Sequence, residues 1–210
     1  DSKVSFVCNA RYGESFYTGA ESKLVGPYLD QQIKMRNNTT VSNTYAHTGT
    51  KSIKIPNGSY LNIEFKHPYH RTGKYKVSVW VKKDNATNTR IGFVSAPNAF
   101  NGEKVYAGDW VQLNHYLDIN QTSYIYITTA SGTIYVDDVR VHPVSSSMTS
   151  YVYNEWDELS HIIGNNGLAT QYEYDSAGRL AKTYTEVADF EGAGSGGFKI
   201  SSEHTHNYKK

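Results

Sequence analysis

Short segments in which apolar and polar residues alternate recur along the first two thirds of the chain, and they constrain its fold more than any other feature. Over residues 75–82, a tyrosine and three valines occupy every second position, which is the period of a half-buried β-strand. Turn signals such as Pro56-Asn57-Gly58-Ser59 separate the segments, and none has a helical period. The predicted strands are 4–7, 52–55, 60–65, 74–82, 90–94, 110–117, 123–128 and 133–141. Short strands with turns about every 8–12 residues predict an all-β chain that forms a jelly-roll β-sandwich.

Composition narrows the class of protein. The chain has 18 tyrosines against 7 phenylalanines and 3 tryptophans, and tyrosine suits a sheet because its ring packs while its hydroxyl reaches water. A net charge of +1 gives no reason to expect nucleic acid or an anionic membrane as partner, and no apolar run is long enough to span a bilayer. The single cysteine, Cys8, cannot form an internal disulfide, and we expect it to pack as a small buried hydrophobe.

The segment 131–143 is predicted to be the last strand of the first domain. Pro143 ends it, and two adjacent carboxylates, Asp137 and Asp138, interrupt its apolar residues. Because side chains alternate along a strand, these two are expected on opposite faces. The composition changes at the serine-rich stretch 144–147. The predicted division is a jelly-roll domain over 1–143, a linker over 144–147 and a second domain over 148–210.

Five short motifs give the first domain a resemblance to a known family. They are Gly19-Ala20-Glu21, His47-Thr48-Gly49-Thr50-Lys51-Ser52, a Tyr-x-x-Ser-x-Trp-Val-Lys strand from residue 75, Gly108-Asp109-Trp110 and Tyr135-Val136-Asp137-Asp138-Val139-Arg140-Val141. Over residues 4–143 the chain resembles the galactose-binding-like jelly rolls, which include many carbohydrate-binding modules. Ala20 departs from the pattern, since the family usually has phenylalanine there.

The resemblance implies a structural calcium ion. In similar jelly rolls an early glutamate and an aspartate of the final strand bind such an ion, which assigns the role to Glu21 and Asp137, with Asp138 as second choice. Carboxylate oxygens, together with carbonyl oxygens near 48–51, are the hard ligands that calcium prefers. The alternative is that the two aspartates cap loop amides or face water.

The resemblance also implies glycan binding, because such modules hold sugars on exposed aromatic rings and bind the hydroxyls with polar side chains. The candidate residues are Tyr60, Asn62, Tyr69, His70, Trp80, Arg90, Trp110, Tyr124 and Tyr126. The alternative for Trp80 and Trp110 is that they are buried in the core, as tryptophans at these positions usually are in similar domains. The turn His67-Pro68-Tyr69-His70-Arg71 is the stronger candidate, because a turn rich in polar aromatic residues has little reason to be buried.

The sequence after residue 147 repeats itself. Tyr151-Val152-Tyr153-Asn154 and Tyr172-Glu173-Tyr174-Asp175 lie 21 residues apart. The run 167–180 resembles a tyrosine–aspartate (YD, or RHS) repeat, and Asp157-Glu158-Leu159 stands in the first unit for the Gly-Arg-Leu of the second. A third unit is predicted from His204. Since one such hairpin cannot bury its own face, about two and a half units predict a fragment of a longer chain or a partner that completes the sheet.

No motif in the sequence predicts catalysis: Gly-x-Ser-x-Gly, His-Glu-x-x-His and a phosphate-binding glycine loop are all missing. The prediction is a non-catalytic module of a secreted or cell-surface bacterial protein, which binds glycans in adhesion and is displayed on an RHS-repeat scaffold. Two alternatives stay open: a structural spacer or shell module of an RHS protein, and an exported cargo or subunit docked on a secretion or gliding machine. The expected partners are a polysaccharide and a protein or the remainder of an RHS chain.

Overall fold

The computed structural model describes residues 4–11, 13–21, 32–66, 69–93, 102–120, 123–189 and 194–204. These residues form β-strands, with one 3-10 turn at Lys83–Asn88. The strands are β1 (Ser5–Cys8), β2 (Phe16–Thr18), β3 (Ile33–Arg36), β4 (Thr40–Ser42), β5 (Ser52–Pro56), β6 (Tyr60–Phe65), β7 (Gly73–Lys82), β8 (Thr89–Phe93), β9 (Glu103–Ala107), β10 (Trp110–Ile119), β11 (Ser123–Thr129), β12 (Thr133–Pro143), β13 (Ser147–Tyr153), β14 (Leu159–Ile163), β15 (Ala169–Tyr174), β16 (Leu180–Val187) and β17 (Gly197–Glu203). Within the described ranges, no helix has the length and apolarity needed to cross a membrane.

Two antiparallel sheets form a sandwich. The first has the order β4-β5-β12-β7-β10-β9, with β2 also paired to β12, and the second has the order β3-β6-β11-β8. In β7, Tyr75, Val77, Val79 and Val81 are buried in the core cluster that also contains the isoleucines of β6 and β11. The prediction of an all-β sandwich is confirmed, because alternation in each strand supplies one apolar face to a shared core.

Four strands of the sandwich are not found by periodicity. They are β2, β3, β4 and β9, and each has three to five residues. A period of two over so few residues does not stand out from the surrounding sequence.

The third sheet contains the repeat and has the order β1-β13-β14-β15-β16-β17. The segment 4–7, predicted as a strand of the jelly roll, instead lies in this sheet, where Ser5 is paired with Ser150. Alternation identifies a strand but not its partner, and that part of the prediction is wrong. Cys8, expected to be buried, is exposed at the end of β1. The predicted linker 144–147 is a tight turn, in which the N–H of Ser146 donates to the Pro143 carbonyl oxygen at 3.0 Å.

Three turns of the repeat sheet share one geometry. In the turns 154–158, 164–168 and 175–179, the N–H of the first residue donates to the carbonyl oxygen of the fifth at 2.8–2.9 Å. The fourth residue has a positive φ, which is 62° at Asp157 and 71° at Gly178. Asp157 therefore takes the conformation of the glycine, as its alignment with Gly-Arg-Leu predicts. The third unit predicted from His204 continues into 205–210, which lie outside the described residues.

Candidate functional site

The sandwich has two outer faces, and the repeat sheet covers the one on the seven-stranded sheet. Trp80 Nε1 and Arg140 Nη1 donate to carbonyl oxygens of the turn 164–168, at 3.0 and 2.8 Å. Leu168 packs against Trp80 and Trp110, which are both buried. The prediction that these two tryptophans contact a ligand is wrong, because the repeat occupies their surface.

His47 lies at the centre of this covered face. Its ring stacks on Trp80, with ring centroids 4.0 Å apart. Its Nδ1 lies 2.8 Å from Asp138 Oδ2, and its Nε2 lies 2.7 Å from Glu186 Oε1. Glu186 belongs to β16 of the repeat sheet. Burial acts to lower the pKa of His47, but Glu186 and the hydrogen bonds to both carboxylates raise it to about 10. A buried imidazolium ion therefore links the sandwich to the repeat.

The two aspartates of β12 face the same loop, and the prediction that they lie on opposite faces is wrong. Asp137 Oδ2 accepts from the backbone N–H groups of His47 and Thr48, at 2.8 and 3.3 Å. Asp138 accepts from the hydroxyl groups of Thr48 and Tyr17, each at 2.9 Å. A register shift after Asp137, and a φ of 46° at Asp138, break the alternation here. Burial and the neighbouring Asp138 raise the pKa of Asp137.

Glu21 contacts the other end of the same loop. Its Oε1 accepts from the N–H groups of Thr50 and Lys51, both at 2.7 Å, and its Oε2 accepts from Thr50 Oγ1 at 3.1 Å. The N–H of Asp138 also donates to Asp137 Oδ1 at 2.7 Å. Every carboxylate oxygen of Glu21, Asp137 and Asp138 therefore accepts a hydrogen bond from the protein. These oxygens are thus occupied by donors of the protein, and the part of the chain that is described holds no group of three or more His, Cys, Asp or Glu side chains arranged to hold a metal ion. Calcium stays a prediction of the resemblance.

The outer face of the four-stranded sheet lies on the opposite side of the sandwich and brings together five of the predicted ligand residues. They are Tyr60, Asn62, Arg90, Tyr124 and Tyr126. Strand pairing places Tyr126 directly between Asn62 on β6 and Gly92 on β8. Because Gly92 has no side chain, one flank of the Tyr126 ring is left open.

Stacked tyrosines dominate this face. The rings of Tyr60 and Tyr126 lie 4.2 Å apart between centroids, with 19° between their planes. Tyr124 is 43% exposed, and its hydroxyl donates to Glu64 at 3.2 Å. Asn62 is buried, and its Oδ1 has no hydrogen-bond partner among the described residues. The face therefore combines aromatic surface with hydroxyl groups, whereas the unsatisfied acceptor of Asn62 is closed off from solvent.

Basic side chains at the edge of this face were missed by sequence reasoning. Arg36 is paired with Tyr60, and Lys34 with Asn62, across β3 and β6. The available signal was the run Ile33-Lys34-Met35-Arg36, in which apolar and basic residues alternate, but it is only four residues long.

The predicted turn around residue 70 does not join this face. Tyr69 is 67% exposed and lies outside the strands that form this face. His70 is buried, with its ring edge-on to Phe65 at 5.5 Å between centroids, so its prediction as a ligand residue is wrong. His67 and Pro68 lie outside the described residues.

A cleft of about 850 Å³ lies where the loop 49–51 meets the repeat hairpins. Trp156 lines it and is 76% exposed. Two of the carboxylates that line the cleft are committed to turns: Glu158 accepts from Asn154 Nδ2 at 2.7 Å, and Asp175 pairs with Arg179 at 2.8 Å. These contacts stabilise the hairpins.

Comparison with known families identifies the repeat. The family model for the RHS repeat matches residues 153–193, so the predicted RHS repeat is confirmed. No curated protein matches the chain.

Solved structures similar to the chain include carbohydrate-binding modules of family 22. The C-terminal family 22 module of Clostridium thermocellum Xyn10B is 16% identical with a TM-score of 0.45, and covers 65% of this chain and 96% of its own. A xylan-binding domain of the same family is 15% identical with a TM-score of 0.44, and the coverages are 64% and 96%. The first xylan-binding domain of Paenibacillus barcinonensis Xyn10C is 13% identical with a TM-score of 0.41, and the coverages are 68% and 97%. At TM-scores below 0.5, these likenesses do not bear on what the chain binds.

Proposed function

We propose that this chain is a non-catalytic glycan-binding module whose binding surface is the outer face of the four-stranded sheet. The observation that carries the proposal is the stacked pair Tyr60 and Tyr126 beside the exposed Tyr124, all on one open face. The apolar faces of sugar rings pack on tyrosine, and the tyrosine hydroxyl groups exchange hydrogen bonds with sugar hydroxyls.

Attachment and binding use opposite sides of the molecule. The repeat sheet is fixed to the seven-stranded sheet through Trp80, Arg140 and His47. Glycan binding on the other sheet does not compete with that attachment. The use of one sheet for attachment and the other for binding supports a binding module displayed on an RHS scaffold, in an exported or cell-surface protein with a role in adhesion.

The test is affinity electrophoresis of the whole chain in gels that contain soluble neutral and acidic polysaccharides. We expect at least one polysaccharide to retard the wild-type chain. Tyr60→Ala and Tyr126→Ala are each expected to weaken that binding about tenfold, because each removes one ring of the stack, and tenfold is about 1.4 kcal/mol. Tyr69→Ala is the matched control, since it removes an exposed tyrosine elsewhere and is expected to leave binding unchanged.

Two results would contradict the proposal. One is that no polysaccharide in the panel retards the chain. The other is that Trp156→Ala abolishes binding while Tyr126→Ala does not, which would move the site to the cleft beside the repeat.

A structural function is favoured separately by the covered face. The seven-stranded sheet of the sandwich forms a surface on which the repeat sheet packs. Glu186 of β16 forms an ion pair with His47 in this buried contact. On this proposal the sandwich stabilises the first hairpins of the repeat. Hydrogen exchange of Glu186→Ala tests it: β13 to β16 should lose protection while β6 and β11 keep theirs. Unchanged protection in the repeat strands would show that the sandwich is not their support.

A further inference from the structure

The tyrosine face is bordered by basic side chains on both of its edges. Arg36 on the outer strand β3 is paired with Tyr60, and Arg90 on the opposite outer strand β8 is paired with Thr128. Since Thr128 is itself paired with Tyr60, the two arginines end one row across the sheet. The row that contains Tyr60 therefore has an arginine at each end.

The carboxylate on this face is already neutralised. Glu64 lies 3.7 Å from Lys34 and 3.8 Å from Lys66. Neither arginine has an ion pair with a carboxylate among the described residues, so their charge is not compensated on the face. The chain as a whole carries a net charge of only +1, which makes this excess local.

The guanidinium of Arg90 is held in place. Its Nη1 donates to the carbonyl oxygens of Thr87 and Thr89, at 3.2 and 3.0 Å. The Nη2 group is left for a ligand, because the described part of the chain gives it no acceptor. Arg36 is exposed, and its charge acts on Tyr126, where it opposes the rise in pKa caused by burial and by Tyr60. Arg36 thus lies beside the stacked rings, and Arg90 is fixed at the opposite end of the row that contains Tyr60.

We propose that the ligand of this face is an acidic polysaccharide, one whose sugar rings carry carboxylate groups, as uronic acids do. The inference rests on the proposed function and specifies its substrate class. Guanidinium groups bind carboxylates through paired, charge-assisted hydrogen bonds, while neutral sugars leave that charge unused. Sugar rings pack on Tyr60 and Tyr126, and their carboxylates meet Arg36 and Arg90 at the two edges of the face.

Binding of the whole chain to polygalacturonate is compared with binding to the same polymer after methyl esterification, by titration calorimetry at low and at 0.5 M salt. We expect at least tenfold tighter binding to the free acid, and a loss of that preference at high salt because screening weakens the ion pairs. The double variant Arg36→Gln/Arg90→Gln is expected to lose the preference but to keep binding to the ester. The control Lys104→Gln/Lys199→Gln makes the same change in net charge with exposed residues of β9 and β17, and it should behave as wild type.

The outcomes separate the inference from the function it rests on. Equal affinity for the acid and the ester, with loss in Tyr126→Ala, would overturn the acidic ligand and leave glycan binding in place. Binding of polyglutamate as tight as that of polygalacturonate would show simple charge attraction and would also overturn it. Failure of both polymers and of every neutral polysaccharide would overturn the glycan-binding function itself. Thermal melting of each variant establishes that the fold is retained.

Discussion

Replacing Glu186 by glutamine tests the buried link between the sandwich and the repeat. One oxygen of Glu186 accepts from His47 Nε2 at 2.7 Å, and the other accepts from the N–H of Ala169 at 2.9 Å. A glutamine has only one oxygen, so its amide NH2 must face one of these two donors. The substitution therefore removes a negative charge, and it either sets two N–H donors against each other in a closed site or requires His47 to give up its Nε2 proton.

The magnitude follows from the pKa of His47. A rise from 6.5 to about 10 corresponds to about 5 kcal/mol of preference for the charged form, at about 1.4 kcal/mol per unit. Glu186 is the largest cause that raises this pKa, and Asp138 supplies the rest. We expect Glu186→Gln to lower the free energy of unfolding by about 3 kcal/mol at pH 6, which agrees with the cost of breaking other buried ion pairs.

The sign of the pH dependence is fixed by the direction of that shift. Because the folded state raises the pKa of His47, the stabilisation is complete below pH 6.5 and is lost as the pH rises toward about 10. Wild type should therefore lose stability over this range, and Glu186→Gln should show a flatter profile. Urea unfolding at half-unit pH steps measures both.

Glu173→Gln is the control, since Glu173 lies on the neighbouring strand β15, is exposed and bonds to the Tyr184 hydroxyl at 2.9 Å. We expect it to change stability by less than about 0.5 kcal/mol. A loss below about 1 kcal/mol in Glu186→Gln, or a pH profile identical to that of wild type, would refute the buried ion pair.

Three further predictions follow from the same structure. In thermal melts, Gly167→Ala should destabilise the folded chain by about 2–3 kcal/mol and Gly178→Ala by only about 1 kcal/mol. Both glycines have a positive φ, but only an alanine at 167 places its Cβ against Gln112. Equal losses in the two variants would contradict the contact with Gln112. Burial acts to raise the pKa of Glu14, but hydrogen bonds from Arg71 hold it at about 2. The contribution of Glu14 to the stability of the folded chain should therefore disappear as the pH falls from 4.5 to 2. Glu14→Gln should abolish that acid-sensitive step in urea unfolding. A chelator should leave the melting temperature unchanged, since the candidate calcium ligands are fully hydrogen-bonded; a fall in its presence would establish the ion.

The sequence predicted the strands that have enough residues to show their period. β7 is the clearest case, because its inward valines and tyrosine alternate over a ten-residue strand. β3 shows the limit: its four residues alternate correctly, but no argument from period could have placed Arg36 beside Tyr60. Partner choice between strands depends on distant segments, and this is why β1 was assigned to the wrong sheet.

The candidate site was predicted in part for a similar reason. Tyr60, Asn62 and Tyr126 were selected because of residue type, and strand pairing brings them to one face. Trp80 has the same chemistry and lies on a regular strand, yet it is covered by a turn almost ninety residues further along the chain. Nothing local to Trp80 distinguishes a ligand platform from a docking surface.

The position of β1 has a consequence for how the protein is made. Ser5 pairs with Ser150, so β1 leaves the ribosome about 145 residues before its partner strand exists. At roughly 5–20 residues per second, that delay is about 7–30 seconds, which is long compared with the folding of a small β domain. The sandwich can therefore form first, while β1 remains an unpaired strand with Phe6 exposed to chaperones and to other nascent chains. That interval ends when β13 leaves the ribosome and pairs with β1. The edge strand of the repeat sheet is therefore synthesised before the sandwich.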